Sequence, residues 1–418
     1  MDKVKEVELV VIGGGASGMA AAISAKENGI DDILIIEKEP FLGGILEQCI
    51  HNGFGLHTFK EQLSGPEYAE RYIDRVNELK INYVCNSFVS EITKNKDVYY
   101  SNTVDGFVHL KAKAIINATG CIERTPGAIM LAGDRVSGIL TAGQAQKYLN
   151  IDGYMVGKKV FILGSGDIGL IMARRMTLEG ATVLGVAELL PYSNGLQRNI
   201  AQCLNDFNIP LYLSHTVKKV IGKDRVQKVI ITKVDELGNY IPNTEIEFEV
   251  DTLILSVGLI PYNTLLSGIG TKMSKTNGPV VDENYMTSNE GIFSCGNALH
   301  VHDLVDFVSI ESKQAGLGAT KYLKGLGANN ACETMVINGS GINYVVPQKY
   351  HYNNIIDNIT FKFRVKKPMM DIKIEIWLDE AIIKTVRKNV ILPAEMEMIT
   401  LKANELKEGK VLEFKVVE

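Results

Sequence analysis

The 418-residue sequence is poor in the features that mark several large protein classes. It has one tryptophan, and its six cysteines (Cys49, Cys85, Cys121, Cys203, Cys295 and Cys332) are scattered too widely for a CxxC, a zinc pair or a ferredoxin-like run. No apolar run reaches the roughly 18 to 20 residues that cross a bilayer. Residues 7–12 are too short for a signal peptide and no cleavage site follows them, which predicts a cytoplasmic protein with no membrane span. Neither sign of charge dominates: 44 Lys and Arg against 49 Asp and Glu give a net charge of −5, without the basic footprint of a nucleic-acid binder. With 46% apolar and 22% charged residues, the chain is not a disordered one either.

What is present is one local design used twice. Residues 7–12 form an apolar run that ends at Gly13-Gly14-Gly15-Ala16-Ser17-Gly18, and residues 159–163 form another that ends at Gly164-Ser165-Gly166-Asp167-Ile168-Gly169. Each reads as a buried strand, a glycine turn and a helix, with Gly29 or Gly180 closing the helix and a second apolar strand after it. Each second strand is followed by an acid, Glu37 or Glu188, 19 residues beyond the last glycine of its turn.

A lone GxGxxG means little, but strand, turn, helix and downstream acid together predict a dinucleotide site. Gly13 and Gly164 permit the tight turn. Gly15 and Gly166 admit a pyrophosphate to the backbone, and Gly18 and Gly169 let helix pack on strand. The helix N-terminus stabilises phosphate, and Glu37 and Glu188 are suited to ribose hydroxyls. A carboxylate at Glu188 repels a 2′-phosphate and favours NAD over NADP; Arg198, ten residues on, reads as a solvated helix residue.

Elsewhere, helical spacing covers residues 66–80 and 195–207, and short strands and turns fill 81–116 and 211–257. From residue 334 onward the pattern alternates with period two, as in Thr360-Phe361-Lys362-Phe363-Arg364-Val365, which predicts strands with one buried and one exposed face in a small antiparallel sandwich. The fold class is therefore α/β, with two Rossmann-like nucleotide-binding domains and a C-terminal antiparallel β-sandwich.

The order of these motifs resembles the two-dinucleotide-binding flavoproteins of the pyridine nucleotide-disulfide oxidoreductase superfamily. Residues 115–120 (Ile-Ile-Asn-Ala-Thr-Gly) and 253–258 (Leu-Ile-Leu-Ser-Val-Gly) are similar to its two crossover strands, and residues 291–297 to its closing FAD motif, with Asn297 where the family usually has an aspartate. The resemblance implies an FAD domain (1–120, returning at 258–328), an inserted NAD domain (121–257), and the sandwich (329–418) as a docking or oligomerisation domain. It places FAD on Gly13, Gly15, Ala16, Ser17, Gly18, Glu37, Lys38, Gly44, Ala118, Thr119, Gly120, Gly296 and Asn297. It places NAD on Gly164, Gly166, Asp167, Ile168, Gly169 and Glu188. Disulfide reduction does not carry over, because that chemistry needs two neighbouring cysteines.

Residues 43–55, 123–127, 140–146 and 300–306 further resemble the FAD/NAD subunits associated with glycerol-3-phosphate dehydrogenase-like proteins, and 141–146 those of sarcosine and opine oxidases. That implies a subunit passing hydride between flavin and NAD beside a partner flavoprotein dehydrogenase, with glycerol 3-phosphate the favoured substrate, in a homo- or hetero-oligomer. One alternative is a stand-alone NADH oxidase or peroxidase using Cys49 with His51 beside it, set against the blander reading of a packed, inert thiol. The other is a non-catalytic, flavin-containing assembly subunit. His300, His302, Asp303 and Asp306 make an incomplete ligand set, so no metal is expected; Asp303 or Asp306 is expected to cap the following helix.

Overall fold

In the computed structural model, which describes residues 4–326 and 333–417, the apolar runs become central strands of parallel sheets. The chain divides into two units, Met1–Cys121 with Pro261–Glu418, and Ile122–Ile260. Cys332 and the expected junction between residues 328 and 329 lie outside the described residues.

In the first unit, Lys5–Ile12 pairs in parallel with Ile33–Ile36 on one side and Gly106–Asn117 on the other. Asn82–Val84 and Ile292–Ser294 extend the parallel part, while Asp97–Asn102 and Phe88–Ile92 add an antiparallel edge. The helix Ala16–Glu27 is rich in Ala, Ser and Gly and is buried from Ala16 to Ala25. Its small side chains let the long helix Val305–Leu323 approach closely: a Cβ on Gly316 would lie 2.2 Å from the Ala21 carbonyl oxygen. The helix Gly65–Glu78 starts at a capping box in which Ser64 and Glu67 satisfy each other's backbone N–H.

The second unit repeats the plan. Ile139–Thr141, Thr252–Leu255, Lys159–Leu163, Thr182–Glu188 and Leu211–Leu213 form a parallel sheet in that order. A three-stranded antiparallel sheet, His215–Gly222, Val226–Lys233 and Ile246–Glu249, carries the turn around Asp235.

The C-terminal strands form a five-stranded and a three-stranded sheet around a core that includes Phe361, Phe363, Ile374, Ile376 and Phe414. One pair departs from the antiparallel expectation: Glu333–Asn338 runs parallel to Val411–Val417. These strands open and close the domain, so no tight hairpin ties their directions.

The polar face of the strand Asn358–Val365 is also not the exposed face predicted. Lys362 is only 4% exposed, and Arg364 pairs with Asp303 beside the long helix. Asp303 Oδ2 also accepts from Met396 N at 2.7 Å, and Asp306 accepts from Gly55 N (3.1 Å) and Thr58 N (2.7 Å). Neither aspartate caps the helix Val305–Leu323, whose N-cap is Leu304 without a side-chain bond. Both carboxylates are instead taken up by backbone and side-chain donors from other segments.

A second polar contact joins the sandwich to the remainder of the same unit. His351 Nδ1 lies 3.2 Å from Glu283 Oε2, whose Oε1 also accepts from Asn354 at 2.8 Å. Burial, aided by Glu283, pushes the neighbouring Asp282 carboxyl from 3.8 up to about 7, while Glu283 holds His351 protonated above its ordinary range. A raised carboxyl stabilises the fold in its protonated form, and that contribution is fully present below about 3.8 and lost progressively as pH rises to about 7. The His351 contribution is lost in the same direction. Asp282→Asn keeps the Oδ1 acceptor for Asn284 N and Met286 N but cannot ionise. Its melting-temperature advantage over the parent should be absent below about pH 4, grow by roughly 2–4 °C between about pH 5 and pH 7.5, and level off above that; a difference independent of pH in thermal scans would refute this.

Candidate functional site

Both glycine turns are held by the same device. Glu37 is buried, with Oε2 accepting from Gly14 N at 2.6 Å and Oε1 from Glu39 N at 2.8 Å. Glu188 is equally buried, with Oε2 accepting from Ser165 N at 3.0 Å and Oε1 from Leu190 N at 3.0 Å. The sequence offsets are identical, 23 residues back and two forward. Ser165 Oγ adds a bond to Glu188 at 2.6 Å. Each carboxylate closes the space between the first turn and the end of the second strand, and each oxygen keeps acceptor capacity beyond its backbone bond.

The glycines are where backbone must touch backbone. A Cβ on Gly18 would lie 1.8 Å from Gly13 O, and one on Gly13 2.5 Å from Ala118 O. In the second unit a Cβ on Gly164 would lie 2.0 Å from Ser256 O, and one on Gly169 2.6 Å from Ser256 Cβ. Ser256 thus stands where Ala118 stands in the first unit, and its Oγ accepts from Gly169 N at 3.0 Å. Gly44 stacks on Gly15, with its missing Cβ 3.0 Å from Gly15 Cα, and Gly43 N donates to Gly14 O. These glycines leave bare backbone at the N-terminus of each helix, the surface a pyrophosphate requires.

Of the remaining residues expected at the first site, Ala16 and Ser17 lie in the first helical turn. Lys38 is exposed and pairs with Glu39 at 3.2 Å. Thr119 Oγ1 donates to Tyr262 O at 2.7 Å, and Gly120 O accepts from Tyr262 N. The Gly296 turn packs on Ser17, whose Oγ a Cβ there would meet at 2.5 Å. The Asn297 side-chain oxygen accepts from His302 N at 3.0 Å, and its amide donates to Cys121 Sγ. This bonding makes Asn297 an organiser of its own loop.

At the second site, Asp167 opens the helix Asp167–Leu178 but points at the next one, accepting from Leu196 N (2.8 Å) and Asn199 (2.6 Å). Ile168 packs into the hydrophobic core of the unit, and Arg198 is exposed on the helix Gln197–Cys203. Glu123 accepts from Gly143 N at 2.8 Å at the start of the helix Ala142–Asn150, joining two of the motifs singled out in the sequence.

Cys49 follows a short 3-10 turn and its Sγ donates to Ile45 O at 3.2 Å. Burial pushes its thiol up to about 12, so it is protonated at neutral pH. The His51 ring packs on Phe54. His300 and His302 converge with Glu311 on a single carboxylate oxygen, at 2.8 and 3.3 Å, and Lys362 joins them there at 2.5 Å. The lysine supplies a cation in direct contact with that carboxylate oxygen.

Reading the sequence missed Ser165, Ser256, Glu311 and Lys362. Ser256 had a signal, since residues 253–258 align with 115–120 in the repeat; the others had none, because their partners are distant in the chain. Glu37→Ala leaves two N–H donors without that acceptor, so the ligand-free protein should lose about 1–3 kcal/mol of stability in urea unfolding. An unchanged midpoint would refute the clamp.

The sequence profile of the pyridine nucleotide-disulphide oxidoreductase family matches residues 7–315. The NAD(P)H sulfur oxidoreductase (CoA-dependent) of Pyrococcus abyssi is 26% identical over 72% of this chain and 65% of its own. An opine oxidase subunit of Agrobacterium tumefaciens is 23% identical over 76% of this chain and 66% of its own. The chain thus aligns with about two thirds of the length of these curated relatives. The T. acidophilum thioredoxin reductase structure has the same fold, with a TM-score of 0.63 at 23% identity over 76% of this chain and 98% of that one. This chain belongs to the pyridine nucleotide-disulphide oxidoreductase family, whose members use FAD and NAD(P)H.

Proposed function

We propose that the protein is an FAD-dependent NAD(H) oxidoreductase, with FAD on the first glycine turn and NAD on the second. The observation that carries this reading is the duplicated clamp: two bare glycine turns, each backed by a buried glutamate with the same bonding at the same offsets. When bound, FAD supplies the two-electron centre that exchanges hydride with the nicotinamide. The chain's own contribution is to bind and orient. The residues 13–18, with Gly44 and Gly296, hold the pyrophosphate side of FAD, and Glu37 its ribose. Gly164, Gly166 and Gly169 do the same for NAD, and the Glu188 carboxylate disfavours a 2′-phosphate.

The relatives weigh towards a stand-alone NAD(P)H oxidoreductase: one is named a sulfur oxidoreductase, another an NAD(P)H coenzyme A polysulfide/persulfide reductase. A thiol route through the half-buried Cys49 runs against its protonated thiol and its bond to Ile45 O. Electrons therefore leave from the flavin to a small acceptor. A second reading, in which the chain feeds or is drained by a partner dehydrogenase, is favoured by the likeness to the opine oxidase subunit; its glycerol-3-phosphate form rests on motif resemblance alone.

In an anaerobic titration, NADH should bleach the visible flavin band and NADPH should do so far less effectively. Glu188→Ala should narrow that preference by about tenfold, the factor that about 1.4 kcal/mol is worth. A flavin that neither nucleotide reduces would refute the redox reading. Cys49→Ser should keep NADH-driven turnover with peroxide or persulfide within about twofold of the parent; a collapse of turnover with FAD still bound would restore the thiol as the reacting centre.

A further inference from the structure

The strand Asn358–Val365 sends alternate side chains to opposite faces, and both faces are used. Phe361, Phe363 and Val365 fill the sandwich core. Lys362, on the other face, reaches the long helix Val305–Leu323 of the flavin half and meets Glu311, itself 1% exposed. Lys362 also lies 3.4 Å from the Tyr285 hydroxyl.

Glu311 divides its two oxygens. Oε2 receives Lys362 Nζ at 2.5 Å and His300 Nε2 at 2.8 Å, and His302 Nε2 lies 3.3 Å away without a hydrogen bond to it. Oε1 accepts from Gly296 N at 2.9 Å. Gly296 opens the turn that packs on Ser17, and Ser17 Oγ bonds Ser312 Oγ, the next residue after Glu311, at 2.7 Å. The lysine, the glutamate, the Gly296–Asn297 turn and the first glycine-turn helix are thus linked in one chain of direct contacts. Burial alone would neutralise Glu311, but Lys362 and the two imidazoles hold it well below the ordinary carboxylate range, so it stays a strong acceptor for Gly296 N.

We propose that Lys362 is a positioning residue of the flavin site: acting through Glu311, it fixes the Gly296–Asn297 turn against the first glycine turn, so the C-terminal sandwich completes the FAD site. The inference rests on the FAD reading above and adds to it that a domain outside the matched residues 7–315 belongs to the cofactor site. Without the lysine charge, the buried carboxylate loses its main counter-ion, and either takes up a proton or turns towards the imidazoles. In both cases the Gly296 N–H loses a charged acceptor.

The test is the FAD affinity of Lys362→Met, measured by equilibrium dialysis and flavin fluorescence, against His351→Leu. The control loosens another polar contact between the sandwich and the flavin half, the one to Glu283, without touching the Gly296 turn. Lys362→Met should weaken FAD by about tenfold or more. His351→Leu should bind FAD like the parent. At saturating FAD, the KM for NADH of Lys362→Met should equal that of the parent, since the second nucleotide turn belongs to the other unit. If Lys362→Met does not fold, Lys362→Gln, which removes the charge but keeps a hydrogen-bonding group, is measured in its place. Parental FAD affinity in the lysine variant, or an equal loss in His351→Leu, overturns the proposal. A parent protein that holds no FAD would overturn the flavin reading itself.

Discussion

Two contacts between backbones govern how this chain is built. At Gly18 and Gly13, and again at Gly169 and Gly164, a helix and a neighbouring strand end come so close that a methyl group would overlap a carbonyl or a side chain. The glycines are therefore conditions of assembly as much as features of a ligand site. Once helix and strand are seated in this way, the first strand, the returning crossover strand and the glutamate after the second strand have little freedom left. Glu37 and Glu188 complete the arrangement by accepting the N–H groups that the tight turn leaves pointing inward.

The same logic of satisfied buried donors explains how the C-terminal strands are attached. A sheet with a charged face is ordinarily a sheet facing water. Here the first-turn half of the unit offers carboxylates to that face, Glu311 to Lys362 and Asp303 to Arg364, and Glu283 to His351 on the edge of the other sheet. Buried ion pairs of this kind add little net stability over an apolar junction, but each half is costly to leave unpaired, which restricts the ways the sheet can dock. Val346 lies within the hydrophobic core of the flavin half, and Tyr344 packs against it, so the attachment is apolar as well as polar.

Much of the fold was legible because periodicity and glycine spacing are local. The strand-turn-helix repeats, the acids after them and the helical spacing over 66–80 all follow from neighbours in the chain. Ser256 is the borderline case, visible only when its strand is compared with residues 115–120. The roles of Asp303 and Asp306 were misjudged for a clear reason. An aspartate just ahead of or inside a first helical turn is a sound capping candidate, but Arg364, Met396, Gly55 and Thr58 are better placed donors that arrive from far along the chain. Cys49 was open to two readings from the sequence, a reactive thiol beside His51 or a packed inert one, and only the surroundings that push its thiol up to about 12 favour the second.

By itself, the sequence determined where strands and helices form, that two nucleotide-type turns recur 151 residues apart, and which residues of each strand share a face. Side-chain period and the steric need for glycine are written in consecutive residues. Only the tertiary structure decided which face meets which partner. Lys362 has the same alternation whether it faces water or Glu311; the charges that keep Glu311 ionised and the desolvation that raises Asp282 and Cys49 exist only once distant segments have come together.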